Sequence, residues 1–406
     1  MTKKVLYISY DGMTDPLGQS QVLPYLTKLS QEKFNFHLIS FEKEIPFEKN
    51  KANIQEICDA ANITWHPIKY TKKPAVFSTL WDIYHMNKKA FELHAQHQFS
   101  IVHCRSYISS LIGLKMKRKF NVPFVFDMRG FWADERIDGK IWDLKSPFYK
   151  FIYNFFKKKE KQYLSESDRI ISLTSAGKEV ILDWKVEGVT RDKIEVIPCC
   201  VNLDLFNPSS IQVESQDQLR SELGINADNY ILGYVGSIGT WYMLSEMLDY
   251  FVELKKANKK AKFLFVSGEK AGMIWKTAKS KGIDKSDLII TSCVHAEVAK
   301  YISLFDFSIF FIRPTFSKKA SSPTKQGEIM AMGIPLVCNH GVGDTDFIVE
   351  KYKSGLVIKD FTPTAYQEII ASDFEFNTTE LKAGAKDYFS LEQGFQSYLK
   401  VYKSLL

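Results

Sequence analysis

At 406 residues the chain is too long for one ordinary hydrophobic core, so two domains are expected. Its 45% hydrophobic and 25% charged content is ordinary for a soluble globular protein, and no run approaches the roughly 18 uninterrupted apolar residues of a membrane span. The net charge of +7 is uneven: residues 1–200 carry 31 Lys and Arg against 23 Asp and Glu, a net of +8, and the remainder carries −1. That excess admits nucleic acid, an anionic membrane surface or phosphorylated substrates as partners. The six cysteines form no C-x-x-C pair and no cluster with histidine at metal-ligand spacing, which reads as reduced thiols in a cytoplasmic protein. The opening MTKKVLYISYDG enters a strand at once, with no signal-peptide apolar region.

In chain order the first half alternates. KVLYISY (4–10) is strand-like, and SQVLPYLTKLSQ (20–31) has apolar residues at helical spacing. FNFHLISF (34–41), ITWHPIKY, SIVHCRS, VPFVFDMRG and RIISLTS follow as strands with helical runs between. Repeated strand–helix–strand units imply a parallel sheet, whose ligand site lies at the carboxyl ends of the strands. Those ends hold Asp11-Gly12, His103 to Ser106, Asp127 to Gly130, and Thr174-Ser175. The second half restarts the pattern at YILGYVGSIG (230–239), then KFLFVSGE, LIITSCV, FSIFFIRPT and IPLVCN. EVIPCCVNLDLFNP (195–208) reads as the connection. The expected architecture is α/β, two Rossmann-like doubly wound domains over 1–200 and 201–385. A C-terminal helix, 386–406, would pack back on the first domain. Two such domains facing across a cleft suit an enzyme that holds a donor on one and an acceptor on the other.

The densest motif is SSPTKQGEIMAMGIPLV (321–337). Ser322 is a good N-cap and Pro323 suits the first helical position. The helix would stop at Gly333, with Pro335 beyond. Its free N–H groups and dipole favour an anion, Ser321, Ser322 and Thr324 add hydroxyls, and Lys325 adds a cation. Glu328, one turn on, cannot bind phosphate but can accept from ribose hydroxyls. The bland alternative is a capped helix with a surface glutamate. Gly236-Ser237-Ile238-Gly239 is a glycine turn where backbone can approach phosphate, though it is neither G-x-G-x-x-G nor a P-loop. Arg313 closes a strand and can neutralise a leaving diphosphate. Lys318 and Lys319 read as a solvated basic loop. In the first half His103 and Arg105 lie at a sheet edge, Asp127 and Arg129 at the next, and Gly18 in a turn before a helix. KSPFYKFIYNFFKKKEKQYL (145–164) interleaves aromatics with lysines. That pattern fits either a half-buried helix or one lying on an anionic membrane surface.

In this order the segments resemble a GT-B glycosyltransferase of the retaining family 4 type, in a polysaccharide-building branch. EVIPCCVNLDLFNP is similar to the family linker, YVGSIG to its glycine turn, SSPTKQGEIMAMGIPLV to its nucleotide-sugar segment, and FDMRGFWADE to an Asp-x-Arg-Asp-x-Trp-Pro-Glu stretch. The resemblance implies transfer from an NDP-sugar to a glycan or lipid-linked acceptor with retention, and no metal or other cofactor. Arg105, His103, Arg313 and Lys325 would serve the chemistry. Gly18, Gly236, Ser237, Ser321, Ser322, Thr324 and Glu328 would hold the nucleotide-sugar, with Asp127 and Arg129 on the acceptor or sugar side. With the cysteine usage the expectation is a cytoplasmic protein that binds no nucleic acid, and the 145–164 pattern leaves open a peripheral place on the inner membrane face. Three departures stand out. Ala320 occupies the place of a first acid eight residues before Glu328, Thr240-Trp241-Tyr242 replaces a basic pair, and Arg105 stands where relatives have histidine. An NDP-sugar 2-epimerase and a catalytically inactive partner subunit of the same fold are the competing readings.

Overall fold

The structure is a computed structural model that describes residues 2–74, 76–269 and 271–406. Residues 1–199 and 391–406 form one compact unit, and residues 200–390 form a second.

The first unit is built on seven strands: β1 Lys3–Ser9, β2 Phe34–Glu42, β3 Thr64–Lys69, β4 Ile101–Arg105, β5 Phe124–Asp127, β6 Arg169–Ser172 and β7 Ile194–Val196. All pair in parallel, in the order β3-β2-β1-β4-β5-β6-β7. Central strands such as IVHCR and FVFD are buried along their whole length. That is the pattern of a parallel sheet covered by helices on both faces. The strand order reverses between β1 and β4, which face each other through Val5–Ile101 to Ser9–Arg105. A parallel sheet opens a crevice at such a reversal, beyond the carboxyl ends of the strands.

The second unit repeats the plan with β8 Tyr230–Val235, β9 Ala261–Val266, β10 Leu288–Thr291, β11 Phe307–Phe310, β12 Leu336–Asn339 and β13 Gly355–Ile358. The order is β10-β9-β8-β11-β12-β13, again parallel, and the reversal lies between β8 and β11. Its core runs through Leu232, Tyr234, Phe263, Phe265, Ile309, Phe311, Val337 and Phe389.

Three local features differ from the sequence reading. The helix expected over 20–31 is two helices, Pro16–Gln21 and Leu23–Ser30. Pro24 has no N–H for the carbonyl of Ser20, and the backbone breaks at Val22. The strand end expected at the start of the linker is β7, three residues long, and the edge strand β13 is additional to the strands expected. The segment 386–406 is not one helix. Thr378–Phe389 stays with the second unit, extended backbone at Ser390 ends it, and Leu391–Lys403 belongs to the first. Among the described residues, no helix is long and apolar enough to cross a membrane.

Candidate active site

In the second unit the motif segments converge on the β8–β11 reversal. β8 ends at Val235, and Gly236 follows with φ of +107°, a conformation that glycine adopts without strain. A Cβ at Gly236 would lie 3.1 Å from the Lys325 ammonium. The glycine therefore serves both the turn and the lysine above it.

Lys325 lies in the first turn of helix Thr324–Ala331 and is 7% exposed. Its Nζ donates to the Tyr234 hydroxyl at 3.0 Å. That hydroxyl in turn donates to the Ser237 carbonyl, which ties the lysine to the glycine turn. The ammonium stands 3.7 Å from the Tyr242 ring centroid and 4.1 Å from that of Tyr234. Such contacts contribute about 2 kcal/mol each when desolvated. Burial still pushes the ammonium well below its ordinary pKa, with Glu328 pulling the other way. A buried cation short of negative charge is a receptor for an anion.

Lys318 is also buried, 3.8 Å from the Trp241 ring centroid, so it is not the solvated loop residue expected. Trp241 and Tyr242, which replace a basic pair, hold the two cations that the segment itself lacks. Arg313 is exposed just beyond β11, its backbone N–H bonded to the Trp241 carbonyl. The strand end before it is clamped by Asn339, whose side chain accepts from Ile312 N and donates to Ile312 O.

The helix begins one residue later than expected. Pro323 is the N-cap, with no side-chain cap bond, and Ser321, Ser322 and Thr324 are partly exposed around it. Gly333 lies just past the last turn with φ of +71°, the left-handed stop that the sequence calls for. Glu328 is 8% exposed, and its Oε1 lies 3.3 Å from His295 Nε2. The hydrogen bond to Glu328 raises the His295 pKa, against its burial. Ala320 is buried at 2% exposure, so nothing at that position reaches outward.

In the first unit the strand ends collect charge. Asp127 is fully buried and receives the Tyr398 hydroxyl at 3.2 Å, with His103 Nε2 at 3.5 Å and Arg129 Nη1 at 4.0 Å. Burial works to raise its carboxyl, but Arg129, His103 and Arg105 outweigh that and hold it below the ordinary range. Arg129 sits at φ of +55° and donates from Nη2 to the Cys199 sulfur. Arg105 is 2% exposed, and its Nε lies 3.3 Å from the Asp11 carboxylate.

Two sequence expectations change here. His103 is 0% exposed, bonded through Nδ1 to the Tyr402 hydroxyl at 2.8 Å, and burial depresses its pKa. It occupies a core position instead of meeting a substrate. Gly18 is buried in helix Pro16–Gln21, where a Cβ would lie 2.3 Å from the Gly12 carbonyl oxygen. Packing within the first unit accounts for it, and it lies in a different unit from the other residues expected on the nucleotide side.

Residues that sequence reasoning did not single out complete the picture: Tyr234, His295, Asn339, and Glu42. Glu42 is buried and accepts the backbone N–H groups of Met13 and Thr14, fixing the loop after β1. The available signal for Tyr234 and Asn339 was a polar atom within the last two residues of an apolar strand. Among the described residues, no group of three or more His, Cys, Asp or Glu is arranged to hold a metal ion. On the helix Pro147–Glu166, Phe148, Phe151 and Phe155 form an exposed stripe beside the exposed Lys150 and Lys158.

The chain matches Glycosyltransferase Family 4 over residues 20–205 and Glycosyl transferases group 1 over residues 215–382. With two Rossmann-like sheets and these matches, it belongs to the family 4 glycosyltransferases of GT-B fold. It is 24% identical over 285 residues to a D-inositol 3-phosphate glycosyltransferase of Segniliparus rotundus, which covers 69% of this chain and 59% of that protein. It is 25% identical over 261 residues to an alpha-monoglucosyldiacylglycerol synthase of Streptococcus pneumoniae, covering 62% and 54%. The chain thus aligns with less than two thirds of either relative's length. The crystal structure of Anabaena HepE with UDP and glucose matches with a TM-score of 0.71 at 13% identity, over 99% of this chain and 100% of that one.

Proposed function

We propose that the chain transfers a sugar from an NDP-sugar to a glycan or lipid-linked acceptor, with retention at the anomeric carbon. The observation that carries this reading is the pairing of Lys325 with the Gly236 turn at the β8–β11 reversal. Lys325 and Arg313 take the diphosphate, together with the hydroxyls of Ser237, Ser321, Ser322 and Thr324. Glu328, one turn further along the same helix, accepts from the ribose. The acceptor binds the first unit, on the side of Asp127 and Arg129.

With Glu328 assigned to the ribose and bonded to His295, front-face attack is the route that asks for no protein nucleophile. The bond from the anomeric carbon to the diphosphate breaks, and the acceptor oxygen bonds to that carbon on the same face. The departing phosphate oxygen takes the acceptor proton. The protein then contributes position and positive charge at the leaving group. The names of the relatives, one an inositol phosphate enzyme and one a glycolipid synthase, agree with a polar or lipid-linked acceptor. The exposed stripe Phe148, Phe151 and Phe155 beside Lys150 and Lys158 fits attachment to the cytoplasmic face of an anionic membrane.

A thermal-shift screen against UDP-, GDP-, ADP- and dTDP-sugars tests the donor half. Binding to the native state raises apparent stability, so one base should stand out. A flat response to all four would remove the reading. Conversion of the donor with no acceptor present would move it to an epimerase.

A further inference from the structure

We propose that the first unit holds a phosphate-binding subsite at Arg105, and that the acceptor therefore carries a phosphoryl group. The acceptor role rests on the function proposed above; the subsite itself rests on the geometry of the first unit. Arg105 ends β4 beside β1, at the point where the strand order reverses, which is where a parallel sheet receives ligands. Its guanidinium is 2% exposed, yet neither Nε nor Nη1 makes a hydrogen bond. The Nε is paired with Asp11, at 3.3 Å. A buried donor without an acceptor is costly, and native structures leave few of them.

Arg105 is also the N-cap of helix Ser106–Phe120, and no side chain caps that end. The serines that would serve are turned back: Ser109 donates to the Arg105 carbonyl and Ser110 to that of Ser106. The first turn holds no acidic residue, so the positive end of the helix is uncompensated. Ser106 takes φ of +68°, a left-handed conformation unusual for serine, at the very junction of strand and helix.

Charge decides the class of ligand. Asp127 is fully buried; its Oδ2 accepts from Tyr398, while its Oδ1 makes no hydrogen bond and has Arg129 Nη1 at 4.0 Å. Burial keeps His103 from charging, so it adds no cation. Arg105 shares the charge of Asp127 with Arg129 and is otherwise faced by Asp11, whose side chain is 46% exposed on the loop after β1. A neutral sugar hydroxyl offers such a group little, whereas a phosphate accepts two parallel N–H bonds from a guanidinium and also suits a helix N-terminus. The source is either a free sugar phosphate or a phosphate bound to lipid.

The donor site is first saturated with the nucleoside diphosphate chosen by the screen above. Titration then uses glucose 6-phosphate, glucose, and dihexanoyl phosphatidylglycerol below its micelle concentration. The phosphate probes should bind and glucose should not; which of the two binds more tightly identifies the source. Arg105→Gln should weaken the bound probe at least about 10-fold, the scale of a lost charged hydrogen bond, with nucleotide affinity unchanged. Asp11→Asn, a change at an exposed carboxylate that spares the core, should tighten the probe several-fold. Equal binding of glucose, no binding of either phosphate probe, or wild-type probe affinity in Arg105→Gln would overturn the subsite. Failure of the wild type to bind nucleotide counts against the donor reading alone, because the probe titration can be read without it.

Discussion

Lys325 is the residue on which the proposed donor site turns. Its ammonium is held by two tyrosine rings and one hydroxyl, and burial depresses its pKa. A diphosphate beside it would raise that pKa again, so binding should take up a proton. Calorimetry of nucleoside diphosphate binding in buffers of different ionisation enthalpy should show net proton uptake at neutral to alkaline pH. The uptake should shrink in Lys325→Met; if it persists unchanged there, another group is responsible. In the proposed site Glu328 answers to a different part of the ligand. Glu328→Gln should weaken nucleotide binding by about 10-fold or more, the scale of a charged hydrogen bond, and equal affinity would remove its ribose role. The sequence marked both residues through a short motif. It did not show the tyrosines that hold Lys325, because Tyr234 lies 91 positions away and only the sheet brings it near. His103 was misread for the same reason, since its partner Tyr402 is 299 positions distant.

At the scale of the element, the strands were the most legible part. YILGYV and FVFD are buried at nearly every position, so each writes itself as a continuous apolar run. The edge strand β13, four residues with only its two ends buried, carries too little pattern to stand out from a loop. One cluster of elements also sets an acid limit. His37 on β2, His66 on β3 and His97 at the end of helix Phe77–His97 lie together. His37 Nδ1 is 3.1 Å from His66 Nε2, and the His37 and His97 rings are 4.1 Å apart. Burial, then the neighbouring positive groups, pushes His37 down to about 4, and burial does the same to His66. Both bind a proton more readily in the unfolded chain, whose histidines titrate near 6.5. Stability should therefore rise with pH across that window and be lost as pH falls from about 6.5 towards 4. Denaturant midpoints measured through this range should show the slope, and it should flatten in the double variant His37→Gln/His66→Gln. An unchanged slope would assign acid sensitivity to other groups.

For the molecule as a whole, the first unit is assembled from two separated stretches, residues 1–199 and 391–406. The helix Leu391–Lys403 buries Phe395, Tyr398, Leu399, Val401 and Tyr402 in it. Tyr398 reaches Asp127 at the end of β5 and Tyr402 reaches His103 in the middle of β4, so this helix ties both strands. Truncating a fully buried aromatic costs about 3–5 kcal/mol. Tyr402→Ala should lower the denaturation midpoint accordingly, while Tyr402→Phe should lose only about 1 kcal/mol, the hydrogen bond alone. Similar losses in both would mean that the hydroxyl, not the packing, holds the helix.

That discontinuity bears on the order in which the protein is made. A ribosome completes residues 200–390 before it reaches Leu391, so the second sheet has its whole sequence available while the first still lacks its closing helix. The unit begun first is finished last. Until then the aromatic surface that receives Tyr398 and Tyr402 is uncovered, and Asp127 and His103 lack their hydroxyl partners. The unit that opens the chain thus completes its packing only after Leu391–Lys403 has been made.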